Sequence, residues 1–130
     1  MSQLPLFVFG TLRQGECNHH YLVGAFDRVQ PAKLRGFGRV ETLMIAREAS
    51  SVVAGELFDL TPSTYAQTLQ GCDHLEEIPV GELVGQEYRR IPVRVQAASG
   101  ETIAWAYVRF DMDPDCDLTP LIHAESLRLR

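Results

Sequence analysis

The sequence predicts an α+β domain: a curved sheet or small barrel of strands, with one main helix and short helical turns between them. Three observations carry this. Short runs rich in Val, Ile, Leu and Phe recur along the chain, punctuated by Gly, Glu and Ser. Only "LTPSTYAQTLQGCDHLEE" spaces its apolar residues as a helix does. At 130 residues and 45% hydrophobic content, the chain is sized for a single domain, 1–130, with a substantial core.

The first element is the run Pro5 to Phe9. Its alternating faces, Leu6 and Val8 against Phe7 and Phe9, are both apolar, so this strand is expected to be central and covered on both sides. It ends abruptly at Gly10-Thr11-Leu12-Arg13. Gly15 to Tyr21 follows as a polar loop or short helical turn carrying Asn18, His19 and His20. From Ala32 come three strand-like runs, "AKLRGFGRV", "ETLMIA" and "SVVAGELFDL", in which Gly36, Gly38 and Gly55 mark bulges or tight bends.

The helix is expected to start with Thr61 as N-cap and Pro62 at the first helical position, where its missing N–H costs nothing. Tyr65, Leu69 and Cys72 then form its buried stripe. "QEYRRIPVRV" and "ETIAWAYVRF" read as a strand pair joined by the four residues Ala97 to Gly100. Trp105 and Tyr107 share a face of the last strand. The tail, 111–130, reads as less regular. Its "DMDPDCD" resembles the opening of a calcium loop, but Cys116 and Ile122 stand where that loop needs Gly and a bidentate Glu, so a solvated acidic loop is the better reading.

Several function classes are excluded by composition. Seventeen acidic against twelve basic residues, net −5, with no run of Lys and Arg, argue against nucleic acid. No apolar stretch approaches membrane-span length, so no membrane partner is expected. Cys17, Cys72 and Cys116 are odd in number and widely spaced, which suggests reduced thiols and a cytoplasmic setting. The four histidines, 19, 20, 74 and 123, lack metal-ligand spacing, and no metal or cofactor motif is found.

Helical geometry singles out one carboxylate. At about 100° per residue, Glu76 falls about 20° from Tyr65, on the apolar stripe, whereas Asp73 lies at about 80°, on its border, and Glu77 at about 120°, nearer solvent. A carboxyl among apolar side chains has a raised pKa, which suits general acid/base work near neutral pH. The alternative is that the helix ends at Gly71, leaving Glu76 and Glu77 as solvated loop acids. The complementary part is the turn after the first strand, whose consecutive backbone N–H groups can form a nest for a carboxylate or oxyanion, with Thr11 adding a hydroxyl. Tyr88 offers a hydroxyl to the same pocket or packs as rim.

Together the blocks "VFGTLRQGECNHHYL" (Val8 to Leu22), "VAGELFDL" (Val53 to Leu60), "CDHLEE" (Cys72 to Glu77), "YRR" (Tyr88 to Arg90) and "AWAYV" (Ala104 to Val108) resemble the γ-glutamylcyclotransferase-like family, especially its short bacterial members and γ-glutamylamine cyclotransferases. The resemblance implies a small mixed β-barrel with few helices. It also implies a cofactor-independent cyclisation of a γ-glutamyl amine or amino acid to 5-oxoproline, with Glu76 as general acid/base. The backbone from Phe9 through Gly10 and Thr11 to Leu12 would cradle the γ-glutamyl α-amino acid group, with Tyr88 binding and Asn18, His19 and Tyr107 supporting. Phe9, Cys72 and Glu77 depart from the family's Tyr, Leu and Gly. Two other readings stand beside it: a non-catalytic small-metabolite module of the same fold, and a hydrolase using Cys17. A monomer or weak homodimer is expected.

Overall fold

Leu6–Val8 forms the first strand, β1, in a computed structural model that describes residues 3–128. Phe26–Glu41 (β2) and Met44–Leu60 (β3) pair antiparallel as one long hairpin. Tyr88–Ala97 (β4) and Gly100–Arg109 (β5) form a second. The order β1-β3-β2-β4-β5 closes on itself in a barrel-like ring. All pairings are antiparallel except β1 with β5, which meet in parallel at Leu6 and Trp105.

The two faces of β1 explain its composition. Phe7 and Phe9 point into the ring, among Leu34, Ile45, Val53, Leu57, Val93 and Val108. Leu6 and Val8 face outward and are covered by the helix Tyr65–Leu75 (α1) through Leu69 and Cys72, with Trp105 and Tyr107 beside them. Both faces of this strand are therefore apolar because both are buried.

The β2–β3 hairpin differs from the sequence expectation of three short strands beginning at Ala32. β2 begins at Phe26 and ends at Glu41, the tight turn at Thr42 and Leu43 splits "ETLMIA", and its remainder joins "SVVAGELFDL" in β3. Breaks in side-chain alternation are absorbed by register shifts rather than strand ends. One lies at Gly36, whose φ of +83° puts it in the left-handed region at the shift between Arg35 and Phe37.

Gly55 serves a different purpose: a Cβ there would sit 2.2 Å from the Val8 carbonyl oxygen and 2.9 Å from the Phe7 ring. Its bareness lets β1 approach β3. Gly55→Ala is expected to cost about 3 kcal/mol or more, visible as a fall of about 10 °C in Tm.

The other connections refine the expectations. Ala97 and Gly100 pair with each other, so the β4–β5 turn has Ala98 and Ser99 alone at its tip, with Gly100 at φ +116°. Thr61 does not cap through its side chain; Pro62–Thr64 is a 3-10 turn, and the Thr61 hydroxyl donates to Asp27 Oδ1 at 2.8 Å. α1 runs through Gly71 to Leu75, which removes the alternative ending at Gly71, and Glu76 is its C-cap.

The tail, expected to be less regular, contains a second helix, α2, at Thr119–Arg128, preceded by a 3-10 turn at Cys116–Leu118. Its inward stripe carries Glu125, a charged residue at an apolar position, which disguised the periodicity. The acids of "DMDPDCD" are not simply solvated. Asp113 pairs with Arg89 at 3.3 Å, Asp115 with Arg47 and Arg94, and Asp117 with Arg94. Among the described residues no helix is long and apolar enough to cross a membrane, and no group of three or more His, Cys, Asp or Glu is placed to hold a metal.

Candidate active site

Strand β1 stops after three residues because the chain turns out of the sheet at Gly10. Every carbonyl of the turn is taken. Phe9 O accepts from Arg39 Nη2 (2.8 Å), Gly10 O from Arg13 N and Nε (3.2 and 3.1 Å), and Thr11 O from Asn18 N (2.9 Å). Leu12 O lies 3.0 Å from His19 Nδ1, and since a carbonyl only accepts, that ring nitrogen carries the proton. The N–H groups of Gly10, Thr11 and Leu12 have no acceptor among the described residues. The loop is thus braced through its oxygens and leaves three donors free.

Gly10, Thr11 and Leu12 line a cavity of about 60 Å³ at one end of the ring, together with Phe7, Val8, Phe9, Leu43, Glu76, Tyr88 and Tyr107. Phe9, Gly10, Thr11, Leu12, Glu76, Tyr88 and Tyr107, all singled out from sequence, therefore line one cavity. Asn18 and His19 stand behind the loop: Asn18 donates through Nδ2 to Thr11 Oγ1 at 2.9 Å as well as bonding its carbonyl.

Glu76 enters because α1 ends on it. Its backbone N–H still bonds Cys72 O at 3.1 Å, while the exposed Glu77 turns to φ +59° and Ile78 returns to the core with its N–H on Asp73 O at 2.9 Å. Half-buried at the cavity wall, the Glu76 carboxyl is pushed up to about 7, first by burial and then by the carboxylates of Asp73, Glu77 and Glu87. A group with that pKa exchanges protons at neutral pH. The Tyr88 hydroxyl donates to Leu43 O at 3.0 Å and is raised above the usual tyrosine value by burial and by Glu76, so it stays protonated beside the acid.

Sequence reasoning missed four residues around this site. Leu43, at the tip of the β2–β3 hairpin, closes one side of the cavity. Arg39 ties that tip to the loop, bonding Thr42 O and Phe9 O and lying 5.2 Å over the Phe9 ring. Asp73, placed on the border by helical angle, is buried at 7% exposure, and Arg90 is buried at 1%. Phe58 and Phe26 packing around His19 also fixes the loop from outside the motif. Asp73 and Arg90 both lie in blocks that carry the family resemblance, "CDHLEE" and "YRR", but neither block marks them as a buried pair.

Cys17 is exposed and lies outside the cavity wall, and the His19 Nδ1 that could have served it is used by Leu12 O. Cys72 is fully buried, and burial pushes its thiol up to about 12, so it packs as a small apolar side chain. Alkylation of the exposed thiols Cys17 and Cys116 is expected to leave turnover within about two-fold; a larger loss in a timed inactivation assay would restore the cysteine reading.

Comparison with known proteins places the chain in one protein class. The family model Gamma-glutamyl cyclotransferase, AIG2-like, matches residues 6–126, and the chain belongs to that family. It is 32% identical over 109 residues to the gamma-L-glutamyl-butirosin B gamma-glutamyl cyclotransferase of Niallia circulans, an alignment covering 79% of this chain and 65% of that protein. The chain thus spans just under two-thirds of that relative. A Vibrio cholerae protein, provisionally assigned as a gamma-glutamylcyclotransferase, is 33% identical over 108 residues, covering 79% of each. Among solved structures, YkqA from Bacillus subtilis matches the fold with a TM-score of 0.64 at 23% identity, over 85% of this chain and 37% of that one.

Proposed function

We propose that this protein is a cyclotransferase that converts a γ-glutamyl amine or γ-glutamyl amino acid to 5-oxoproline and the free amine. The observation that carries the reading is the pairing, across one cavity, of three free backbone donors with a carboxyl whose pKa sits near 7. The N–H groups of Gly10, Thr11 and Leu12 take the α-carboxylate of the glutamyl group. This leaves its α-amine facing Glu76.

Glu76 then accepts a proton from the α-ammonium, and the freed nitrogen attacks the γ-carbonyl of the same molecule. As the bond to the leaving amine breaks, Glu76 passes that proton to the leaving nitrogen; the ring nitrogen gives up its second proton by the same route, so the amine departs as an ammonium and the neutral five-membered lactam is released. Both reacting groups belong to one substrate, so the enzyme need only hold the folded conformer and move protons. The cavity is small, about 60 Å³, so the leaving amine extends past Leu43 and Tyr88 toward solvent. Phe9 in place of Tyr removes one hydroxyl but leaves the backbone donors, because Arg39 holds the Phe9 carbonyl.

Incubation with a panel of γ-glutamyl amines and γ-glutamyl amino acids is expected to yield 5-oxoproline from at least one member. Calorimetric binding without turnover across the panel would instead favour the non-catalytic module. The rate should follow the ionisation of Glu76: kcat/KM is expected to rise through pH 7 and level off above pH 8, since the base is lost as the pH falls through its raised pKa of about 7.

A further inference from the structure

Asp73 and Arg90 form a buried ion pair that the cyclisation does not use directly. The Asp73 carboxylate accepts from Arg90 Nε at 2.8 Å and Nη2 at 2.9 Å, and from the Tyr107 hydroxyl at 2.6 Å. Arg90 also stacks 4.5 Å over Trp105 and reaches Glu125 at 3.5 Å. The network crosses the wall of α1. On one side Tyr107 and Glu76 line the reaction cavity, while on the other Asp73, Arg90 and Glu125 line a separate cavity of about 220 Å³.

Asp73 is three residues before Glu76, one helical turn away on the same element, with Cys72 between the stripe and the core. The bonds from β4 and β5 therefore pin the last turn of α1 at the point where the chain must deliver the Glu76 carboxyl. Tyr107 is the sole member of the three that also touches the reaction cavity.

We propose that Asp73, gripped by Arg90 and Tyr107, is a positioning residue for Glu76: it fixes the end of α1 against β4 and β5 and holds the Glu76 carboxyl toward the cavity. This rests on Glu76 being the general base. The charged and titratable groups facing the Asp73–Glu76 turn are Cys72, Glu77, Glu87, Tyr88, Arg90, Tyr107 and Glu125. Arg90 lines the second cavity and not the reaction cavity, and the negative charge of Asp73 raises the Glu76 carboxyl.

The test is a double-mutant cycle of Asp73→Asn and Tyr107→Phe, with kcat, KM and the acid limb of the pH profile measured for each. Asp73→Asn keeps an acceptor for Arg90, which also retains Glu125. It is expected to lower kcat about ten-fold or more with KM little changed, and to move the acid limb down by about half a pH unit, because a like charge beside Glu76 is gone. Tyr107→Phe, which keeps every charge, is expected to lower kcat about three-fold or more with the limb unmoved. The double variant should be no slower than Asp73→Asn alone.

Additive losses would show that Tyr107 acts on the substrate itself and would overturn the assignment, as would an unchanged kcat and limb in Asp73→Asn. Should Asp73→Asn fail to fold, Tyr107→Phe decides alone, and wild-type kcat in it overturns the proposal. Failure of the underlying reading is distinguishable, since then Glu76→Gln itself would remain active.

Discussion

Glu76→Gln is expected to lower kcat by about three orders of magnitude while KM stays within a few-fold. The amide keeps the shape of the side chain and its place at the cavity wall, so binding by Gly10, Thr11 and Leu12 persists. It can no longer take a proton from the α-ammonium or return one to the leaving nitrogen. A rise in KM with kcat little changed would point instead to a ground-state contact.

The same substitution is expected to stabilise the protein. Folding raises the Glu76 carboxyl from 4.5 to about 7, so the native state holds a proton that the unfolded state has released between those values. Stability attributable to this group falls as pH rises from 4.5 to 7 and stays low above. Removing the charge should therefore add about 1–2 kcal/mol at pH 8, a smaller gain than the full shift implies because the group is half-exposed to water, and add nothing at pH 4. Thermal melts of both proteins at the two pH values check this, and an unchanged or lowered Tm at pH 8 would show that Glu76 carries no such strain.

The second large effect is Arg90→Met, expected to cost about 3–5 kcal/mol, or roughly 10–20 °C in Tm. Arg90 is the principal cation facing Asp73 and Glu125, both themselves buried, and it also covers the Trp105 ring. Methionine fills much of the volume but leaves Asp73 buried without a cation and Glu125 with Arg128 alone, at 3.7 Å. Its neighbour gives the control. Arg89 faces the exposed Asp113, and breaking that pair with Asp113→Asn should change stability by less than about 1 kcal/mol. Equal losses for the two would mean that burial does not set the worth of these pairs.

These two residues show where sequence was legible and where it was not. β1 could be read because five successive residues alternate into two apolar faces, and both faces meet partners in the structure. Glu76 could be read because a helix repeats regularly enough for an angle to stand in for a position, and α1 kept its register through Gly71. Asp73 could not. Its burial is decided by Arg90 on β4 and Tyr107 on β5, which reach it across the sheet, and no local period encodes a partner that far along the chain. Glu125 hid α2 for the same reason, since its place on an inward stripe makes sense once Arg90 is beside it. Leu43 and Arg39 escaped because a hairpin of this length delivers its tip to the cavity mouth by register, and register follows from bulges such as that at Gly36.

The central claim is that the substrate's own amine, released by Glu76, closes the ring. Turnover of a responsive γ-glutamyl amide in water enriched in oxygen-18, with the products weighed by mass spectrometry, tests it most directly. Intramolecular attack predicts 5-oxoproline with no heavy oxygen, formed by wild type and nearly absent with Glu76→Gln. Glutamate carrying one heavy oxygen in its γ-carboxyl would mean that water is the nucleophile and would contradict the claim.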